Sequence, residues 1–291
     1  MDTFVARSLE DGAAVFRDAD TLLLYFPLLH LVPDLADSGD FSAAARDAGR
    51  DVRAHSRAVM KAMSSADAPP LKKITSADLV ALDDFVGEHP VKIDLVYAQP
   101  QHPDNMFKSG IYKKDAKMWA HTSFAPIVLR AAAICYAQQK WLFELKDCLR
   151  PVEAQAAMME SDIVKANPHW IQEPNRLLSP PGKGGHPRGM AIDIVLVNEN
   201  GEEIDMGTRF DYLSPDRNNN PAARNYTGFS AEILSHRRLL EDCMMQAAKE
   251  AGRELLPLPQ EWWDFRFPYA YSNLYEPVSD KALPPDMRMM D

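Results

Sequence analysis

The stretch Gly185-His186-Pro187-Arg188-Gly189-Met190-Ala191-Ile192-Asp193-Ile194-Val195-Leu196-Val197 decides how this chain is read. A glycine-rich loop delivers a histidine, and an apolar, largely β-branched run follows with an aspartate near its start. Ala191 to Val197 has the length and composition of a strand. Asn200-Gly201 behind it is a strong hairpin signal, so a returning strand is expected from Glu203 to Asp211. His186 and Asp193 then stand in register at the start of a hairpin, an imidazole and a carboxylate of the kind that hold a metal. Taken alone, such a spacing more often reads as a capped loop and a hairpin charge.

Downstream, Gln260-Glu261-Trp262-Trp263-Asp264-Phe265 adds two carboxylates in an aromatic frame, which supply a third ligand and a general base. On an ideal strand Glu261 and Asp264 point to opposite faces, because side chains alternate with period two. The segment therefore requires a bend or bulge, or a base standing above a metal that Asp264 binds from the side.

The same signals organise the rest of the chain. Residues 41–63 carry Ala, Val and Met at helical spacing, and Ser64 to Pro70 reads as a linker. A short helix is expected from Ser76 to Val86, a strand from Val91 to Tyr97, and a helix from Asp115 to Gln139 kinked or broken at Pro126. Next come a strand from Trp141 to Leu149, a helix from Val152 to Lys165, a helix from Ala231 to Ala251 closed by Gly252, and a last strand from Glu261 to Phe267. No βαβ rhythm repeats. The expected fold class is α+β, an antiparallel sheet with flanking helices and a metal site on the sheet, plus a helical N-terminal extension. The expected division is an extension over 1–90, a catalytic domain over 91–270 and a C-terminal tail over 271–291.

With 42 acidic against 32 basic residues among 291, the net charge of -10 argues against a sequence-independent nucleic-acid binder. Cys135, Cys148 and Cys243 are few, odd in number and widely spaced, which points away from a disulfide framework and towards a reducing compartment. A cytoplasmic location is expected, or a periplasmic one where a signal peptide has been removed. The longest apolar run, Leu22 to Val32, is too short to span a bilayer and contains Pro27 and His30. Oligomeric state is not written in the sequence.

His186-x-x-Gly189-x-Ala191-x-Asp193 followed by Glu261-x-x-Asp264 resembles the signature of the VanX-type D-alanyl-D-alanine dipeptidases within the LAS-type zinc peptidases. Ile93 to Ala98, Asp147-Cys148-Leu149-Arg150-Pro151 and Asp205 to Asp211 match in the same order, so the resemblance covers about residues 91 to 270. It implies zinc held by His186, Asp193 and Asp264, with Glu261 as the base that activates water. It also implies Arg150 as the stabiliser of the oxyanion and Asp211 as the partner of the substrate's free α-ammonium. Unremarkable readings stand beside these: Arg150 paired with Asp147, Asp211 as a turn residue, Glu261 as a surface glutamate.

Two positions depart from the family pattern. Asp264 stands where the second zinc histidine is expected, and Gly184 where a serine of a Ser-x-His pattern would offer a hydroxyl. A His/Asp/Asp set balances the charge of a divalent cation, which implies a weaker Lewis acid and better accommodation of harder ions such as manganese. The activity implied is metal-dependent hydrolysis of D-alanyl-D-alanine or a related small dipeptide. The alternatives are a non-catalytic or substrate-shifted paralogue that binds a small peptide, and a cell-wall D,D-carboxypeptidase, which Asp211 disfavours.

Overall fold

The strand read from Ala191 to Val197 forms over those residues, and every one of its side chains is buried. A computed structural model describes residues 70–172, 176–216 and 219–291. The helix expected over 41–63 and nearly all of the linker lie outside the described residues. Lys73–Pro268 and Tyr275–Asp291 make one compact unit, while Tyr269–Leu274, with the short helix Tyr269–Ser272, belongs to another.

The strands in chain order are β1 (Leu79–Ala81), β2 (Val91–Ile93), β3 (Trp119–His121), β4 (Leu142–Asp147), β5 (Ala191–Val197), β6 (Leu256–Pro257) and β7 (Asp264–Arg266). Four helices of the main unit are α1 (Ala125–Gln139), α2 (Val152–Met159), α3 (Asp162–Ala166) and α4 (Ala231–Glu250). β1 pairs with β3, and the main sheet has the order β2-β4-β5-β7-β6. The architecture is α+β, but the sheet is mixed rather than wholly antiparallel, because β2 runs parallel to β4. The chain between them carries β3 and α1, a crossover long enough for parallel pairing.

The expected returning strand from Glu203 to Asp211 does not form. β4 lies along one edge of β5, and β7 takes the other only over Ala191–Asp193. Past β7 the hairpin turn forms, with Asn198 N–H donating to Glu202 O and Ile204 N–H to Leu196 O, but the chain leaves β5 after Ile204. Only a single bridge joins Val197 to Glu203, and Asp211 ends the segment in left-handed backbone at φ 58. Ser76 to Val86, expected as a helix, is instead a 3-10 turn, strand β1 and a second 3-10 turn. The expected strand from Val91 to Tyr97 stops at Ile93 and passes into a 3-10 turn at Val96–Ala98.

Pro126 neither kinks nor breaks a helix: it lies in the first turn of α1, where the missing N–H costs nothing, and the residues before it form β3. The helix expected from Val152 to Lys165 is two, parted at Glu160 and Ser161. α4 starts where Ser230 Oγ accepts from Ile233 N–H and is followed by Gly252 at φ 64. Among the described residues no helix is long and apolar enough to cross a membrane.

Trp262, Trp263, Phe265 and Phe267 are almost wholly buried and anchor the core beside β5, with Phe124 set edge-on to Phe267. Each such aromatic contributes roughly 1.5–3 kcal/mol by leaving water. The chain after residue 274 clamps the loop before β5 from outside. Val278 N–H donates to Pro187 O at 2.7 Å, and Arg188 Nε donates to Tyr275 O at 2.8 Å.

Candidate active site

Asp193 on β5 lies directly opposite Asp147 of β4 on one side and Asp264 of β7 on the other. Three buried carboxylates thus stand in a row across the middle of the sheet. Like charges placed opposite one another repel, so the row requires cations. Arg150 answers Asp147: its Nε donates to Asp147 Oδ2 at 2.8 Å, and its Nη2 lies 2.7 Å from the same oxygen. Tyr112 Oη donates to Asp147 Oδ1 at 2.9 Å. Arg266 answers Asp264, with Nε donating to Oδ1 at 2.7 Å and Nη2 donating to Oδ2. Two residues apart on a strand, Asp264 and Arg266 share a face, which is why the pair forms.

His186 is brought over the middle of this row by the glycine loop. Gly189 must be glycine: its φ is 61, and a Cβ there would come within 2.9 Å of the His121 backbone nitrogen. Arg188 Nη1 donates to Gly182 O at 3.0 Å and Gly184 O at 2.8 Å, which holds the loop in shape. The imidazole Nδ1 is 2.8 Å from Cys148 O, so it carries a proton and donates. The opposite nitrogen, Nε2, lies 3.2 Å from Asp264 Oδ2 and 3.5 Å from Asp193 Oδ1.

Asp193 is the member of the row without an arginine of its own. Its Oδ1 is buried and makes no hydrogen bond, and its Oδ2 lies 3.7 Å from Arg150 Nη2. Burial, only partly offset by His186, pushes the Asp193 carboxyl above its usual range. Burial also opposes a charge on His186, but Asp193 and Asp264 overcome it and raise the imidazole to about 10. Burial would raise Asp264 as well; Arg266 and His186 outweigh it and hold that carboxyl well below the ordinary range. The electrostatics of the row favour a cation at its centre.

The donor set fits a divalent ion. Asp147, His186 and Asp193 bring one ligating atom each within 4.8 Å of one another. Asp147, however, faces Nδ1 of His186, which is committed to Cys148 O, whereas Asp264 faces the other nitrogen, Nε2. Nε2 and the unbonded Asp193 Oδ1 point to the Asp264 side. A ring nitrogen fixed by a carbonyl on its far side is how metal-binding histidines are oriented.

The remaining sequence candidates converge on this row. Asp211 accepts from Tyr97 Oη at 2.9 Å, and the Tyr97 ring lies under the Arg150 guanidinium at 5.4 Å. Burial, partly relieved by Tyr97, raises the Asp211 carboxyl to about 7. Arg150 is both paired with Asp147, as its bland reading has it, and close to Asp193. Glu261 is buried, not on the surface, and precedes β7 rather than lying in it, so the bend that its spacing to Asp264 requires is present. Burial, then the charges of Asp264 and Asp193, raise its carboxyl well above the ordinary range.

Of the other histidines, His30 and His55 lie outside the described residues. His102 pairs with Asp94, His121 with Ser123, His169 with Ser214 O and His236 with Asp205 O, while His89 packs against Phe85. Sequence reasoning missed Arg266, Tyr97 and Tyr112 as members of the site. For Arg266 a signal existed: Asp-x-Arg on a strand puts opposite charges on one face.

The family described as D-ala-D-ala dipeptidase, Peptidase_M15, matches residues 75–281. A D-alanyl-D-alanine dipeptidase of Escherichia coli (strain K12) is 27% identical over 198 residues, covering 67% of this chain and 89% of that protein. The chain belongs to the Peptidase_M15 family, as a divergent member.

Proposed function

We propose that this peptidase-family member is a metal-dependent dipeptidase that hydrolyses D-alanyl-D-alanine or a related small dipeptide. The observation that carries the metal is the row of three buried carboxylates in which the outer two have arginines and the central one, Asp193, faces His186 with an unbonded oxygen. His186 Nε2, Asp193 and Asp264 would hold one divalent ion, zinc or a harder ion. Once bound, the ion supplies Lewis acidity towards water and the scissile carbonyl.

The chain's own residues do the rest. Glu261, buried beside the two ligand carboxylates, accepts the proton of the attacking water and returns it to the leaving amine. Its raised carboxyl suits the second half of that cycle and, with a cation bound nearby, the first. Arg150 keeps a full positive charge at all working pH and donates towards the oxygen that becomes negative in the tetrahedral intermediate. Asp211, when ionised, holds the α-ammonium of the substrate, which restricts hydrolysis to free dipeptides. Trp263 and Phe210, edge-on at 5.6 Å, exclude water from this side.

A metal-free paralogue that binds a small peptide is the rival, favoured by the complete engagement of Asp264 with Arg266. A dipeptide panel assayed on protein stripped with chelator and reloaded separates the two. Turnover restored by a divalent ion supports the dipeptidase; binding of dipeptide with no turnover in any metal state supports the paralogue.

A further inference from the structure

We propose that Arg266 makes Asp264 the charge equivalent of a neutral ligand, so that a divalent ion at His186 and Asp193 keeps its net positive charge. This rests on the metal reading above. An aspartate in place of a histidine adds one negative charge beside the ion, and from sequence alone that weakens the ion as a Lewis acid. The guanidinium removes the difference. It donates to both Asp264 oxygens, and both side chains are buried, so solvent screens the pairing little. One aspartate with its own arginine then counts as one imidazole counts, and the surroundings of the ion carry the same charge as a His/Asp/His set. Asp147 and Arg150 cancel separately on the other side of the row.

Gly184 belongs to the same arrangement. Its φ is 85, and a Cβ placed there would lie 3.3 Å from Arg266 Nη1. A serine at 184 would crowd the guanidinium that Asp264 needs. The two departures from the family pattern, at 184 and 264, are thus coupled through Arg266: loss of one side chain makes room for the cation that compensates the other.

The test is zinc affinity of the full chain, measured by competition with a chromogenic chelator at one pH and ionic strength. Arg266→Met leaves Asp264 uncompensated and is expected to bind zinc about tenfold or more tighter, whereas Arg266→Lys stays within a few-fold of the parent. Asp264→His alone removes the negative charge beside the ion while the Arg266 guanidinium stays, and is expected to weaken zinc by about tenfold or more. The double variant Asp264→His/Arg266→Met is expected to return to within a few-fold of the parent. If Arg266→Met does not fold, Asp264→His against the double variant reads the same coupling. Unchanged or weaker zinc binding in a folded Arg266→Met, or a double variant that binds zinc as weakly as Asp264→His alone, overturns the proposal. A parent chain that binds no zinc, manganese or other divalent ion is a different result, and overturns the metal reading itself.

Discussion

Two charged clusters meet at adjacent residues of β4 and differ in how completely their charges are answered. Lys146 is almost wholly buried, and its ammonium reaches Glu144 at 2.6 Å, Asp94 at 2.8 Å and Glu203 at 3.3 Å, which uses all three of its donors. The carboxylates there have further partners or solvent: Asp94 also takes Gln99, and Asp104 takes Arg209. Burial disfavours the ammonium, but Asp94 and Glu144 outweigh it and hold it well above its usual range. The next residue, Asp147, opens the row of three buried carboxylates, where one oxygen of Asp193 has no hydrogen bond. A saturated network supports a fold, whereas one that leaves a buried carboxylate oxygen unbonded has a place for a cation or a substrate charge.

The comparison is tested most severely at Glu261. Glu261→Gln keeps the shape and removes the proton acceptor, so turnover is expected to fall by about two to four orders of magnitude with metal content intact. Steady-state kinetics beside metal analysis check this, and unchanged turnover removes Glu261 from the mechanism. Arg150→Lys is expected to lower kcat by about ten- to a hundredfold with less effect on KM, because its contact strengthens as charge develops. A change confined to KM makes Arg150 a substrate clamp instead. Lys146→Met should do the reverse of both: stability falls by a few kcal/mol in urea unfolding, while kcat per folded molecule stays as in the parent. Loss of kcat there would erase the distinction between the two clusters.

The smallest effect is a pH dependence. A buried aspartate raised to about 7 favours the folded state at low pH, and that contribution is lost as pH rises through about 7. Function runs the other way, since only the carboxylate holds an ammonium. For a free dipeptide kcat/KM should rise through pH 7 and fall again as the substrate amine loses its proton near about 8. Asp211→Asn should flatten the acidic limb by a few-fold change and raise the melting temperature at pH 8. N-acylated dipeptides should be poor substrates of the parent; equal activity on both would favour the carboxypeptidase reading.

Much of this was legible before any coordinates. β5 and α4 follow from a β-branched run and from a capped, glycine-closed amphipathic segment, signals that are local in the chain. The failures were non-local. The hairpin signal at Asn200-Gly201 is sound chemistry and the turn itself forms, but the chain leaves β5 after Ile204 instead of continuing as a strand, and no local signal reports that. The row Asp147, Asp193 and Asp264 exists because three distant segments pair in one register, which spacing along the chain does not encode. Likewise the reading of Asp264 as a plain substitution for histidine overlooked Arg266, whose charge matters only once the strand places both on one face.

The central claim is that the middle of the carboxylate row holds a catalytic divalent ion. Metal content per chain, measured on purified protein after saturation and desalting, tests it in the parent and in His186→Ala and Asp193→Asn. The expected result is about one tightly held ion per parent chain, lost in both variants together with dipeptide turnover. A parent that retains no divalent ion, or variants that retain it in full, would contradict the account.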